Sequence, residues 1–238
     1  MSKVASILLA GGESKRYGSN KLLSPHYNGL PLIQNSLQQL HGLNLAGTYV
    51  VTGRWHSDVV DVVGMIKANA AQGSNSTKVC YNPLWREGIA SSIRCGLQAL
   101  MLEKSLMLEK SLMLEKSLKQ ATDNEYTHLL VHLADLASVT TATLQALLNE
   151  IPSNPNHIIY SQWHKRDLEE KVKIKATVPA IFPKAAFDSL LALRGDKGAK
   201  KVIEDWKDKG QAIGVNHPES AFDIDAPSDW NAYRSQKV

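Results

Sequence analysis

Two glycines and three cations stand together near the N-terminus. Gly11 and Gly12 follow the apolar run Ile7–Ala10, and Lys15, Arg16 and Lys21 follow the glycines, with Gly18 between them. A paired glycine lets the backbone turn sharply and approach a ligand where a Cβ would clash, and loop N–H groups then point at an anion. This is the chemistry of a triphosphate cradle. The loop has neither G-x-G-x-x-G nor G-x-x-x-x-G-K-[ST], which argues against dinucleotide and kinase-type readings. Three carboxylates far away in sequence complete the set. Asp135 closes the apolar run Tyr126–Ala134, and Asp223 and Asp225 flank Ile224, on one face if that segment is extended. Two carboxylates at the ends of strands of one sheet, facing the glycine loop with Arg16 and Lys21, can hold Mg²⁺ against a triphosphate. Displacement of pyrophosphate by an oxygen nucleophile then needs no protein nucleophile, and no Ser-His-Asp or Cys-His arrangement competes.

A second stretch, Asn82–Gly96 (NPLWREGIASSIRCG), combines an Asn-Pro turn, Gly88 and two hydroxyls. Ser91 is placed to cap the helix continued by Ser92, Ile93 and Leu97, and a helix N-terminus can hold another polar or anionic part of a ligand. Simple capping explains it equally well. Arg86 and Arg94 read as surface charges. His128 and His132 share a face of a strand with Asp135 opposite by parity, and the pair reads as structural. Cys80 and Cys95 fit neither a disulfide framework nor a zinc motif and read as buried thiols.

The elements that must position these groups alternate. Ile7–Ala10 is a strand, followed by the loop and a helix. Pro31–Leu40 is helical with Pro31 in its first turn, Thr48–Thr52 is a strand turning at Gly53, and Asp58–Lys67 is a helix whose Asp58 and Asp61 decorate an exposed face. Ala68–Ser76 is a loop, and Lys78–Tyr81, Tyr126–Ala134, His157–Trp163 and Lys171–Phe182 are strands. In the last of these, Lys171, Lys173 and Lys175 alternate with Val172 and Ile174 as one wet face. Thr140–Asn149, Phe187–Leu193 and Ala199–Lys207 are helices, and Pro227 opens a final one. Strand and helix alternating at this spacing imply a parallel sheet with helices on both faces.

At 238 residues the chain suits one α/β domain. A net charge of +4 without a continuous basic patch argues against nucleic acid. No apolar stretch reaches bilayer length, and Gly11 interrupts the first apolar run too early for a secretory leader, so the expected location is the cytoplasm. Residues 101–118 are MLEKSL three times over. The period of six spreads apolar residues round a helix and spaces no Glu three or four residues from a Lys, so the segment reads as a helical duplication without function, a partner-binding arm being the alternative.

Five ordered motifs, LLAGGESKRYGSNKLL, NPLWREGIASSI, the strand ending at Asp135, GDKGAKK and FDIDAPSDW, resemble the molybdopterin-type nucleotidyltransferases related to molybdenum cofactor cytidylyltransferase. The resemblance implies one NTP-transferase domain over residues 1–238, with the repeat as an insertion at 101–118. The implied fold is a three-layer, Rossmann-like α/β architecture of the nucleotide-diphospho-sugar transferase type, with a mostly parallel sheet. It implies nucleotide binding by Leu9, Ala10, Gly11, Gly12, Arg16, Lys21, Gly53, Asn82, Gly88, Ser91 and Ser92, Mg²⁺ on Asp135 and Asp225, and an acceptor near Gly195, Asp196, Gly198 and Lys200. Arg16, Lys21 and Asp135 would carry catalysis. The implied reaction joins a nucleoside monophosphate to the terminal phosphate of molybdopterin cofactor and releases pyrophosphate, with a molybdoenzyme or its chaperone as a further partner. Tyr17, Ala137, Lys200 and Ala226 depart from the family's usual Met, Pro, Arg and Thr. Ala10-Gly11-Gly12 looks like the guanylyltransferase branch, whereas Asn82–Ile93 and FDID look like the cytidylyltransferase branch and favour CTP. A same-fold transferase using GTP or a sugar phosphate, and a non-catalytic accessory protein, are the rival readings.

Overall fold

Every residue of strand β1 (Val4–Ala10) is buried, and its side chains divide by parity. Ala5, Ile7 and Leu9 enter one apolar cluster, whereas Val4, Leu8 and Ala10 enter another on the opposite face. A strand covered on both faces requires an unbroken apolar run, which explains the absence of polar alternation. The computed structural model describes residues 2–69, 76–113, 126–166 and 172–235.

Around β1 stand β2 (Thr48–Thr52), β3 (Thr77–Tyr81), β4 (His128–Leu133), β5 (Ile158–Arg166), β6 (Val172–Pro183) and β7 (Ala212–Asn216). The sheet order is β3-β2-β1-β4-β6-β5-β7. Strand β6 runs antiparallel to both its neighbours, and the remaining pairs are parallel. Helices α1 (Leu32–His41), α2 (His56–Asn69) and α4 (Thr141–Asn149) cover one face. Helices α3 (Ile89–Met113), α5 (Phe187–Leu191) and α6 (Ala199–Lys207) cover the other. The expected three-layer, mostly parallel α/β architecture is therefore present. A short helix, α7 (Asp229–Ser235), buries Trp230 and Tyr233 against Leu32, Ala137 and Ile224. No helix among the described residues is long and apolar enough to cross a membrane.

Several local expectations are corrected. The glycine loop leads into a single 3-10 turn, Lys21–Leu23, not a helix, because Pro25 and Pro31 follow closely and the next helix waits until Leu32. Pro31 precedes α1 as its cap, and α7 starts two residues after Pro227. Ser91 lies inside α3, which already begins at Ile89 because Gly88 supplies a positive φ of 114°. The segment bearing Asp223 and Asp225 is not a strand. It leaves a 3-10 turn at Pro218–Ala221 and has no ladder partner. Arg94 donates to the Leu193 carbonyl and to Glu87, each at 2.7 Å, and is no free surface charge. Ile174 is 52 % exposed beside exposed Lys173, so the outer part of β6 is wet on both faces. Cys80 and Cys95 are half-buried, Cys80 on the edge strand β3 and Cys95 on α3, where its thiol donates to the Tyr81 carbonyl at 3.6 Å. Strand β7 escapes a reading of the sequence because Gly214 interrupts its short apolar pattern.

The MLEKSL segment continues α3 as far as Met113, and residues 114–118 lie outside the described residues, as do parts of the Ala68–Ser76 loop and the 164–170 turn. Its first unit is anchored: Glu103 accepts from the Tyr49 hydroxyl and pairs with Lys78. His128 and His132 are both buried, and His128 spans Thr127 Oγ1 and the Pro155 carbonyl at 2.9 and 3.0 Å.

Candidate functional site

Strands β2 and β3 lie to one side of β1 and β4 to the other. Chain direction therefore diverges at the carboxyl ends of β1 and β4, where open α/β sheets hold ligands. The loop Gly11–Asn20 leaves β1 there, and Asp135 follows two residues after β4. Ser14 takes a φ of 56°, and its carbonyl accepts the N–H groups of Tyr17 and Gly18, which folds the loop back. Asn20 ends it: Oδ1 accepts the Leu22 N–H at 3.2 Å and Nδ2 donates to Asp58 at 3.0 Å. Asp58 thus ties the first turn of α2 to the loop instead of decorating a surface.

These contacts aim Lys21 inward. Its side chain is 11 % exposed, and Nζ donates to Asp135 Oδ2 at 2.7 Å and to Asp225 Oδ1 at 3.0 Å. The exposed Arg16 reaches Asp225 Oδ2 at 2.5 Å. Asp225 arrives without a strand because the Ile224 N–H donates to the Asp135 carbonyl at 3.0 Å. Burial opposes charge on Lys21, but the two carboxylates outweigh it and raise its pKa. Burial also works against the Asp225 carboxylate, yet Lys21 and Arg16 hold it below the usual range. Asp223, half-buried beside Asp225 and Asp135, is pushed up by desolvation and then by their charges.

The result is a cleft of about 300 Å³ lined by Leu9, Ala10, Gly12–Arg16, Lys21, Leu22, Asp135 and Asp225. Cationic loop and carboxylate pair thus share one opening. Glu13, Ser14 and Leu22 join it unforeseen, and only the path of the loop reveals them. Gly11 lies just behind the cleft, where a Cβ would come within 2.9 Å of Ser92 Oγ. Gly53 abuts the Gly11 carbonyl and Trp85. Asn82 Nδ2 donates to Ser91 Oγ at 2.8 Å and to Ser92 Oγ at 3.1 Å. These residues form a bracket beside the loop, outside the cleft lining.

Gly195, Asp196 and Gly198 pack on the start of α3. The Gly195 carbonyl accepts the Ala90 N–H at 3.1 Å, and Gly88 has no room for a Cβ beside Asp196 and Gly195. Lys200 points to solvent, 3.7 Å from Glu204. Among the described residues no three His, Cys, Asp or Glu side chains converge to hold a metal ion. A metal here would rest on Asp135 and Asp225 together with ligand oxygens, the arrangement Mg²⁺ prefers in phosphate sites.

Solved structures with this architecture span the whole chain. A nucleotidyl transferase from Methanothermobacter thermautotroptrophicus superposes with a TM-score of 0.69 at 16% identity, covering 99% of this chain and 98% of its own. Rv0371c from Mycobacterium tuberculosis H37Rv gives 0.64 at 19%, covering 98% and 99%; its manganese complex gives 0.56 at 17%, covering 97% of each chain. The 4-diphosphocytidyl-2C-methyl-D-erythritol synthase from Anaerococcus prevotii gives 0.66 at 14%, covering 98% and 96%. At these identities the likeness is one of fold. No curated protein matches the sequence significantly. The model of the MobA-like NTP transferase domain matches residues 6–210, from β1 through α6, and the chain accordingly belongs to the MobA-like NTP transferase family of nucleotidyltransferases.

Proposed function

We propose that this nucleotidyltransferase takes the nucleoside monophosphate of CTP and joins it to the terminal phosphate of molybdopterin cofactor, releasing pyrophosphate with Mg²⁺ as cofactor. The observation that carries this reading is the bridging of Asp135 and Asp225 by Lys21 beneath the Gly12–Arg16 loop. Asp135 Oδ1 is buried without a hydrogen-bond partner, an open oxygen suited to a cation. The manganese held by Rv0371c, of like fold, agrees with a divalent ion. Bound on Asp135 and Asp225, Mg²⁺ supplies charge neutralisation to the phosphates.

The chain's own groups do the rest. Loop N–H groups at Gly11 and Gly12 receive phosphate oxygens, with Leu9 and Ala10 as the floor. Arg16, three-quarters exposed on a weak surface pair, exchanges Asp225 for phosphate at little cost. Lys21 neutralises charge that develops on the leaving pyrophosphate. Gly53, Asn82, Gly88, Ser91 and Ser92 frame the nucleoside side, and Gly195, Asp196, Gly198 and Lys200 the acceptor side.

CTP is favoured by the Asn82–Ile93 and FDID motifs and by the diphosphocytidyl product of the Anaerococcus prevotii relative in fold. Of the Gly11-Gly12 pair, the residues most at odds with CTP, Gly11 has a packing reason, since a Cβ there would come within 2.9 Å of Ser92 Oγ. The test is incubation with each NTP, Mg²⁺ and either molybdopterin cofactor or a panel of sugar phosphates, with mass identification of products. A cytidylylated cofactor with pyrophosphate is expected. A guanylylated cofactor, a nucleotide sugar alone, or no turnover with any acceptor overturns the proposal.

A further inference from the structure

The family match ends at residue 210, before Asp225 and the helix that follows it. Segment 222–227 has no ladder to fix it, so something else must hold the Asp225 carboxylate in place. The Asp229 carboxylate does so: Oδ2 accepts the N–H of Asp225 at 2.8 Å and that of Ala226 at 2.7 Å. A carboxylate taking two backbone N–H groups forms charge-assisted bonds, stronger than neutral ones.

The same short helix grips neighbours of Arg16, Lys21 and Asp135. Trp230 Nε1 donates to Tyr17 Oη at 3.1 Å, next to Arg16, and to Ser24 Oγ at 3.2 Å. Ser24 Oγ in turn donates to the Lys21 carbonyl at 2.5 Å. Tyr233 Oη donates to the Ala137 carbonyl at 3.2 Å, two residues beyond Asp135. A seven-residue helix is unstable alone, and it persists here because Trp230 and Tyr233 are buried, 6% and 1% exposed.

We infer that α7 is a positioning element of the nucleotidyltransferase site, with Asp229 as the residue that presets Asp225 toward Lys21 and Asp135. This rests on the reading of Asp225 as a metal-binding carboxylate. Asp229 touches no reacting atom. It acts through Asp225, as outer-shell partners orient ligating carboxylates in metal sites.

The test titrates Mn²⁺ alone into wild type, Asp229→Ala and Asp229→Asn by electron paramagnetic resonance, with hydrogen exchange at the Asp225 and Ala226 amides as a metal-free readout. Asp229→Ala is expected to weaken Mn²⁺ binding roughly tenfold to a hundredfold and to deprotect both amides. Asp229→Asn, whose amide oxygen still accepts both bonds, stays close to wild type in both. Thermal melting separates loss of fold from loss of position. Equal amide protection in wild type and Asp229→Ala overturns the inference, as does unchanged Mn²⁺ affinity in a folded Asp229→Ala. A wild type that binds no Mn²⁺ overturns the metal reading instead, and the exchange measurement then decides on Asp229.

Discussion

Lys21 Nζ lies 2.7 Å from Asp135 Oδ2 and, through its second bond to Asp225, occupies the space between two carboxylates. An ammonium there plays the part of a resident cation. Mutual repulsion of two half-buried carboxylates would be costly without it, and the pair persists because Lys21 is itself shielded from water.

Lys21→Met removes this cation. Mn²⁺ is expected to bind the nucleotide-free variant more tightly than wild type, because the competitor for both carboxylates is gone. Pyrophosphate release should fall roughly 10²–10³-fold, the range for losing one preorganised charge-stabilising group. Stability should fall by about 3 kcal/mol or less, the low end for breaking a buried pair, since the carboxylates keep some water. Calorimetry and denaturant unfolding check each part.

Asp135→Ala and Asp225→Ala should each abolish Mg²⁺-dependent pyrophosphate release. Undiminished turnover in both would sink the metal assignment. Asp225→Ala also strands Arg16, but that exposed guanidinium is stabilised by water, so the variant should stay folded.

Acid should destabilise the fold through His132 before the depressed Asp225 adds its own loss. His132 is fully buried, and desolvation lowers its pKa from 6.5 to about 3. The folded value lies below the unfolded one, so this stability is complete above pH 6.5. It is lost as pH falls from 6.5 toward 3, at about 1.4 kcal/mol per pH unit. Asp225, also depressed, adds its own loss only as pH falls below 3.8. His132→Phe should move the acid unfolding midpoint, followed by circular dichroism, to lower pH.

Two glycines of the site should behave oppositely. A Cβ on Gly53 meets the Gly11 carbonyl and comes within 2.7 Å of Trp85 Cβ, whereas one on Gly12 meets nothing within 4 Å. Gly53→Ala is expected to cost about 1–3 kcal/mol by overpacking. Gly12→Ala should unfold like wild type and instead raise the KM for the nucleotide, which steady-state kinetics would show.

Strand β1, the glycine loop and Asp135 were legible because burial on both faces writes itself as an unbroken apolar run, and glycine and charge stand out at its end. Ser91 misled, since a serine before an apolar run has the composition of a cap whether or not the helix has already begun. Asp223 and Asp225 misled differently: alternation with Ile224 is what a strand shows, yet a segment without a ladder, tied by its N–H groups to the Asp135 carbonyl and the Asp229 carboxylate, shows it too.

The sequence by itself determined the alternating α/β order, the cationic glycine loop and, through the resemblance of five ordered motifs, the family. Local composition and period suffice for the first two, because each is written in consecutive residues, whereas the family rests on the resemblance of the motifs. Only the tertiary structure decided that Lys21 sits between Asp135 and Asp225, that Asp58 holds the loop through Asn20, and that Asp229 holds Asp225. Each of those depends on which atoms converge across 38 to 204 residues of chain, or on the one conformation in which a short segment meets its own helix. Such convergence is set by the packing of both faces of the sheet, which no stretch of residues states alone.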